Sequence, residues 1–503
     1  VPTSTGTRTF YTVLSALASD RGEVRDQFFW LHTDVKKKIV YLNLNNDRHE
    51  LVRICPEGVK VVPNGNNEDG VILRGDAKFS GVDWSENTDP ADLDELLTSV
   101  MGRHMACSWP ERQALLDWMC CFPLIEFCGT RPMVRLEGPS GSGKTWAAKM
   151  LTSIVFGSDA QKKSTDAANY VDAARNPLIA LDNVETGNVT SALLDFLLTS
   201  VTGITREKRA SGSDSGIVQE KPLCLVLSTG VEALAGELEE IMSRSIVIEF
   251  SKDLQDEAML EGQLLADIRA ARSVLLSCLF RRISLILDCM SRGGHERAVK
   301  LLRKELGDHG KRRCDEYLAL MYLHRVVAAG RHREDELLEE ADPAFISIIR
   351  RLDMATDNIQ RDASPIATGL IGLFGLLGSQ KLTATTAGLD MDDSKTIIRD
   401  AAPTRLFLAL KHAAKEIGWL FPYKNPVQFG RRLSASMPLL ESQGFAVNSR
   451  KNRHRTNLYT IQFSGRTGAT SIEGAPEQTI AGSNGDGSIQ AQLSGFDQSF
   501  AQA

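Results

Sequence analysis

Residues Gly138–Thr145 read Gly-Pro-Ser-Gly-Ser-Gly-Lys-Thr, and no other run constrains the fold of this chain as much. They satisfy the spacing G-x-x-x-x-G-K-[ST] and lie between an apolar run, Met133–Glu137, and a helical pattern that starts at Lys144. A strand, a glycine loop and a helix in that order make a phosphate cradle. The glycines let successive backbone N–H groups curl around an anion, and the helix N-terminus adds the positive end of its dipole. Gly138, Pro139, Ser140, Gly141, Ser142 and Gly143 then form the cradle. Lys144 reaches the β- and γ-phosphates of ATP, and the Thr145 hydroxyl ligates Mg²⁺.

The flanking pattern supplies the rest of such a domain. Short apolar runs at Leu178–Asp182, Leu223–Ser228 and Ser245–Phe250 join Met133–Glu137 as strands, with helices at Lys144–Phe156 and Ser191–Val201 between them. Strands alternating with helices predict an α/β domain with a largely parallel sheet. Asp182 ends its strand where a carboxylate holds the Mg²⁺ shell. Asn183 follows it where many ATPase motors carry Glu, so the nearest carboxylate is Glu185, which is either the general base for water or a solvated loop acid. Ser228-Thr229 ends the next strand, and Thr229 can contact the γ-phosphate or the attacking water. Arg244, just ahead of strand Ser245–Phe250, is placed either to reach a neighbouring subunit's nucleotide or to cap its own short helix at the C-terminus.

Composition narrows the class. The chain has 503 residues, of which 42% are hydrophobic and 24% charged, as in a multidomain globular protein. Its longest apolar stretch, Gly369–Gly378, is about half the ~20 residues a membrane-spanning helix needs. No membrane association is expected. The N-terminus has no secretory pattern, and nine cysteines without paired spacing point to reduced thiols and a cytoplasmic location. His104, Cys107, Cys120, Cys121 and Cys128 could hold zinc, but adjacent cysteines on an apolar helix read better as buried thiols. The chain starts at Val1, so either an initiator methionine was removed or this is part of a longer polypeptide.

The overall charge of −6 hides basic segments. Thr202–Ser215 carries Arg206, Lys208 and Arg209 in a loop with glycine and serine, which either tracks a nucleic-acid backbone or is a solvated turn. Thr404–Phe463 holds ten basic residues against two acidic ones. It reads as three helices and two strands, the order of a winged helix. A helix with Arg431 and Arg432 would enter a DNA major groove, and a wing with Arg450, Lys451, Arg453 and Arg455 would meet phosphates, unless the module docks a protein instead. The expected organisation is an N-terminal β-rich then helical module over 1–125, the ATPase core over 126–253, a helical lid over 254–400, the winged helix over 401–463 and a disordered tail over 464–503.

Several runs together resemble the replicative ATPases of phages, plasmids and other mobile elements, which are primase-associated and related to superfamily-three and AAA+-type ring helicases. They are Tyr170–Asn176, Leu178–Val184 (LIALDNV), Leu198–Arg209 (LTSVTGITREKR) and Ile241–Ile248 (IMSRSIVI), with Ile39–Val62 upstream. The resemblance implies a P-loop NTPase core with an AAA+-like parallel sheet. It gives Lys144 and Thr145 the Walker A role, Asp182 the Walker B role and Arg244 the arginine-finger role. It also implies a homo-oligomeric ring, with a hexamer as one candidate size, single-stranded DNA in its channel, duplex at the winged helix, and a primase as partner or as a domain outside this chain. Ser228-Thr229 departs from the usual sensor Asn, and no paired-acid primase centre precedes the loop. The expected activity is an ATP-dependent DNA helicase or translocase. The alternatives are an ATP-controlled DNA-binding assembly that unwinds nothing and, more remotely, a small-molecule kinase.

Overall fold

A computed structural model describes residues 5–463 except 22–26, 163–165, 186–188, 210–216, 232–238, 243, 255–260, 308–313, 331–340, 364, 393, 395, 417–420, 422, 424, 443 and 454–456. The described residues fall into two compact units, one within Val1–Leu373 and Ala413–Pro422, the other within Phe374–His412 and Tyr423–Ala503. The expected tail, 464–503, and Arg455 lie outside the described residues.

The first unit begins with helix α1 (Thr5–Arg21) and a small β module. Strands β2 (Leu31–Asp34), β3 (Ile39–Asn43), β4 (Glu50–Cys55) and β5 (Gly58–Pro63) pair antiparallel in sequence order, and β1 (Gln27–Phe28) pairs in parallel with β6 (Ile72–Leu73). Helices α2 (Leu93–Val100) and α3 (Trp109–Cys120) follow. Ser108 and Glu111 form a capping box at the start of α3, which satisfies N–H groups the helix leaves free.

The central sheet is built from β7 (Met133–Glu137), β8 (Gln161–Lys162), β9 (Leu178–Leu181), β12 (Leu225–Gly230) and β13 (Ser245–Glu249), in the order β13-β7-β12-β9-β8 with every pairing parallel. All residues of β7, β9 and β12 are buried, as strands covered on both faces must be. Helix α4 (Lys144–Phe156) opens at Gly143 and closes at Gly157, both with positive φ. Helices α5 (Asp166–Ala173) and α6 (Ser191–Thr202) complete the crossovers; the Thr190 hydroxyl caps α6 by accepting from the Leu193 N–H.

The basic segment expected as a loop is a hairpin. Strand β10 (Arg206–Arg209) pairs antiparallel with β11 (Ile217–Glu220), joined through residues 210–216. Arg206, Lys208 and Arg209 thus sit on its first strand. A run as charged as Thr-Arg-Glu-Lys-Arg gives no alternating apolar signal to read.

After α7 (Glu239–Met242) and β13 come the long helices α8 (Glu261–Ser291), α9 (Gly294–Leu306), α10 (Asp315–Ala328) and α11 (Pro343–Ala363). Two polar clusters stitch them to α4 and α3. Buried Arg272 of α8 donates to Ile154 O (2.8 Å), Val155 O (3.0 Å) and Ser80 O (2.8 Å), closing the C-terminal end of α4. Burial brings its guanidinium down to about 10. The buried Asp117 carboxylate of α3 bonds His324 Nδ1 (2.9 Å) and accepts from Arg325 Nε (2.6 Å) on α10. The described cysteines are free and buried; burial raises the thiols of Cys120, Cys121 and Cys128. Among the described residues no helix is long and apolar enough to cross a membrane.

Helix α12 (Pro365–Gly378) leads into the second unit, with α13 (Ala384–Ala387), β14 (Asp390–Met391), β15 (Ile397–Ala401), α14 (Pro403–Glu416), α15 (Pro426–Ala435), α16 (Met437–Ser442), β16 (Phe445–Lys451) and β17 (Asn457–Phe463). The sheet runs β14-β15-β17-β16, all antiparallel. The three helices and two strands expected from Thr404 onward are present, but the sheet reaches back to Asp390, before the expected boundary at 401. β15 (Ile-Ile-Arg-Asp-Ala) is short, with two of its five residues charged, which hid it. Phe374, Phe445 and Phe463 pack ring on ring at 4.8–6.1 Å.

Candidate nucleotide site

The phosphate cradle leaves the carboxyl end of β7 and turns into α4. Gly138, Gly141 and Gly143 all have positive φ. A Cβ on Gly138 would lie 2.2 Å from Phe250 O, so only glycine lets the loop pass β13 that closely. Ser140 and Gly141 are exposed at the crown, while Ser142 and Lys144 are buried beneath it. The Lys144 ammonium donates to Gly138 O (2.7 Å), Pro139 O (2.8 Å) and Ser142 Oγ (3.3 Å), so it is folded into the cradle that its charge would complete around an anion. Burial lowers its pKa, opposed by the field of Glu185.

Three oxygens meet beside the loop. Asp182 Oδ1 accepts from Thr145 Oγ1 (3.2 Å), at the start of α4, and from Thr229 Oγ1 (2.8 Å), on β12. Thr229 Oγ1 also accepts the Asn183 N–H (2.9 Å). Asn183 has φ 56°, a left-handed conformation that Asn tolerates better than most residues, and this turns the chain sharply after β9. Ser228, one residue earlier and therefore on the opposite face of β12, has a buried hydroxyl without a partner among the described residues. Thr229 is the member of the pair that faces the site.

Glu185 is not adrift in a loop. Its Oε1 accepts from the Val231 N–H at 2.6 Å, which ties the segment after β9 to the end of β12. Arg244 lies elsewhere: its carbonyl accepts from the Met133 N–H at 3.1 Å, at the amino ends of β7 and β13. The phosphate cradle is at the carboxyl ends, about five strand residues or roughly 17 Å away. The fold does not bring Arg244 to its own chain's loop.

Three residues here escaped the sequence reading. Arg135, fully buried in β7, donates to Glu137 Oε1 (2.5 Å) and Val184 O (2.9 Å), and a Cβ on Gly230 would sit 2.1 Å from its Nη2. The pair lies directly behind the Asp182–Glu185 segment. Its signal was present in Met-Val-Arg-Leu-Glu, where an Arg and a Glu two apart share one face of an otherwise apolar strand. Lys252 follows β13, and its Nζ would be 3.4 Å from a Cβ on Gly141, so a second ammonium overhangs the crown of the loop.

A cavity of about 410 Å³ opens beside Gly138 and Pro139, with Glu111, Glu249 and Arg351 in its wall. Burial, then the fields of Glu111 and Glu137, raise the Glu249 carboxyl.

The residues present fit a magnesium nucleoside triphosphate. Two hydroxyls and one carboxylate suit a hard cation that takes its other ligands from phosphate oxygens and water. Among the described residues no three His, Cys, Asp or Glu side chains group as a metal cage.

In the second unit, Arg431 is exposed on α15 and Arg432 is half-buried, with burial lowering its guanidinium. On the β16–β17 hairpin, Arg450 is paired with Asp400 of β15, Nε to Oδ1 at 2.8 Å and Nη2 to Oδ2 at 2.5 Å. Lys451 and Arg453 are exposed.

No protein-family model matches the sequence, and no curated protein matches it. Among solved structures, the chain is similar to one described as SCCmec type IV Cch, an active helicase, at 11% identity and TM-score 0.46, covering 90% of this chain and 82% of that one. It is similar to the C-terminal region of NrS-1 at 12% identity and TM-score 0.35, covering 86% and 96%. A full-length MCM homolog from Methanopyrus kandleri matches at 13% identity and TM-score 0.30, covering 61% and 68%.

Proposed function

We propose that this chain is an ATP-driven DNA helicase or translocase that works as a homo-oligomeric ring in the replication of a phage, plasmid or other mobile element. The observation that carries the reading is the meeting of Thr145, Thr229 and Asp182 beside a glycine cradle at the carboxyl ends of parallel strands. That is where α/β sheets place ligands, and hydroxyl, carboxylate and lysine in this order suit the hydrolysis of a nucleoside triphosphate. Bound Mg²⁺·ATP supplies the phosphoanhydride and neutralises charge as it breaks. The chain's part is to hold it: backbone N–H groups and Lys144 grip phosphate oxygens, Thr145 and Asp182 fix the cation, and Thr229 fixes Asp182. Glu185, anchored on Val231, is the carboxylate that takes the proton from the attacking water.

Arg244 acts in trans. Its distance from its own cradle leaves a neighbouring copy as its target, and that requires a ring or filament. The β10–β11 hairpin, with Arg206, Lys208 and Arg209, meets single-stranded DNA. The antiparallel sheet and helices around α15 form a winged helix that meets duplex through Arg431, Arg432 and the β16–β17 wing. A primase acts as partner or as a linked domain. The second reading, an ATP-controlled DNA-binding assembly without unwinding, uses the same site.

The test begins with Lys144→Ala and Arg244→Ala. Each should abolish hydrolysis with the melting temperature retained, and mixing the two should restore part of it, because one subunit keeps a sound cradle and the other a sound arginine. Undiminished turnover in Lys144→Ala sinks the nucleotide assignment. No rescue in verified mixed assemblies sinks action in trans. ATP-dependent displacement of a strand from a forked duplex separates the helicase from the static assembly.

A further inference from the structure

At the end of the central sheet opposite the cradle, a cavity of about 290 Å³ lies where the chain enters β9 and β12. Phe28 and Phe29 of the N-terminal module, Glu126, Arg175, Asn176 and Lys221 line it. Its position is set by the hairpin, because Lys221 directly follows Glu220, the last residue of β11.

The lining has an unusual chemistry. Arg175 lies over the Phe29 ring at 5.0 Å, and neither Arg175 nor Lys221 has an ion-pair partner among the described residues. Lys221 feels the field of Glu126 in the same wall, and Phe28 stacks on His32 with ring centroids 3.7 Å apart. Two cations beside aromatic rings suit a phosphodiester next to a flat base. Asn176 is 6% exposed, and its Oδ1 is buried without a hydrogen-bond partner among the described residues, although its Nδ2 donates to Asp172 O at 3.0 Å. A buried orphan acceptor costs free energy until a donor reaches it, and a small rotation of the amide offers that oxygen to the cavity. Burial raises the Glu126 carboxyl to about 7, so near neutral pH a large fraction is protonated and offers an O–H instead of repelling an anion.

We propose that this cavity is a nucleotide subsite for single-stranded nucleic acid, continuous with the β10–β11 hairpin. One phosphate lies between Lys221 and Arg175, and its base sits against the phenylalanine wall within reach of the Asn176 amide. The proposal rests on the reading that the hairpin meets single-stranded DNA. An acidic peptide would satisfy the two cations and could donate a backbone N–H to Asn176, but it brings no flat base to the aromatic wall, so nucleic acid is the better occupant.

The test uses the full chain with a non-hydrolysed ATP analogue and a fluorescent oligothymidine. Arg175→Gln combined with Lys221→Gln should weaken binding about ten-fold. It should also lower the slope of log K against log salt by about 1.4, since each single-strand phosphate contact contributes about 0.7. Hydrolysis without DNA should be unchanged. A 4-thiothymidine oligonucleotide should crosslink under light to the peptide containing Phe28 and Phe29 in the wild type and not in the double variant. Unchanged affinity and slope with no crosslink there overturns the subsite. If neutralising Arg206, Lys208 and Arg209 then still removes binding, the hairpin reading survives alone. If the wild type binds no single strand, both readings fall. Displacement of the oligonucleotide by polyglutamate, with no crosslink at Phe28–Phe29, would assign the cavity to an acidic protein partner.

Discussion

Thr229 Oγ1 stands between two strand ends, donating to Asp182 Oδ1 at 2.8 Å and accepting the Asn183 N–H at 2.9 Å. One hydroxyl thereby fixes both the carboxylate that would hold the cation and the sharp turn that follows it. The sequence places Thr229 at this strand end, where the resembled family usually carries a sensor asparagine, and the threonine hydroxyl reaches the neighbouring strand because β12 runs to Gly230.

Thr229→Ala should therefore leave the Asn183 N–H without a partner and Asp182 free to turn. Losing two hydrogen bonds, one of them charge-assisted, costs about 2–3 kcal/mol, so kcat should fall about 30- to 160-fold with nucleotide affinity reduced far less. Thr229→Ser keeps the hydroxyl and should recover most of the rate. Steady-state hydrolysis and nucleotide titration of both variants check this, and an unaltered kcat in Thr229→Ala would remove Thr229 from the site.

The Arg135–Glu137 pair predicts a stability effect that depends on which partner is removed. Arg135→Met strands a carboxylate with 7% of its side chain exposed and withdraws the donor to Val184 O, a loss of about 3–5 kcal/mol of the kind measured when one member of a buried ion pair is deleted. Arg135→Met with Glu137→Met replaces the pair by apolar surface and should recover most of the melting temperature. Hydrolysis should stay low in the double variant, because the segment from Asp182 to Glu185 still lacks its support. Full activity in that variant would make the pair purely structural.

How far the sequence foretold this site depended on the kind of signal each residue left. Gly138–Thr145 combined backbone, charge and hydroxyl requirements in eight positions, and Asp182 followed four apolar residues, so both could be read directly. Arg135 left only a parity within five residues, and Lys252 none, because its approach to Gly141 is made by the pairing of β13 with β7. The β10–β11 ribbon and strand β15 were illegible for a different reason. Their pairing is carried by backbone groups, and their side chains lack the apolar alternation by which strands are recognised.

Glu126 makes stability depend on pH with a definite sign. Burial raises its carboxyl from 4.5 to about 7, so between those values the folded chain binds the proton more tightly than the unfolded chain does. Its contribution is fully present below about 4.5 and is lost as pH rises through about 7, a loss of about 3 kcal/mol at the upper end. Glu126→Gln cannot lose that proton. Its melting temperature relative to wild type should climb between pH 5 and pH 8, and a difference independent of pH would show that Glu126 titrates as an ordinary carboxyl.

The wing gives the last prediction, because the fold separates residues that the sequence grouped together. Arg450 is bound through two nitrogens to Asp400, whereas Lys451 and Arg453 are exposed at the end of β16. A cation already neutralised by a carboxylate condenses few phosphate charges, so the two groups should affect duplex binding unequally. Lys451→Gln with Arg453→Gln should lower the slope of log K against log salt by about 1.8, at about 0.9 per B-DNA phosphate. Arg450→Gln should lower it by less than half as much, and Asp400→Asn should tighten duplex binding by releasing the guanidinium. If all three variants bind duplex with the wild-type slope, the module does not contact DNA through this hairpin, and its exposed basic residues face a protein instead.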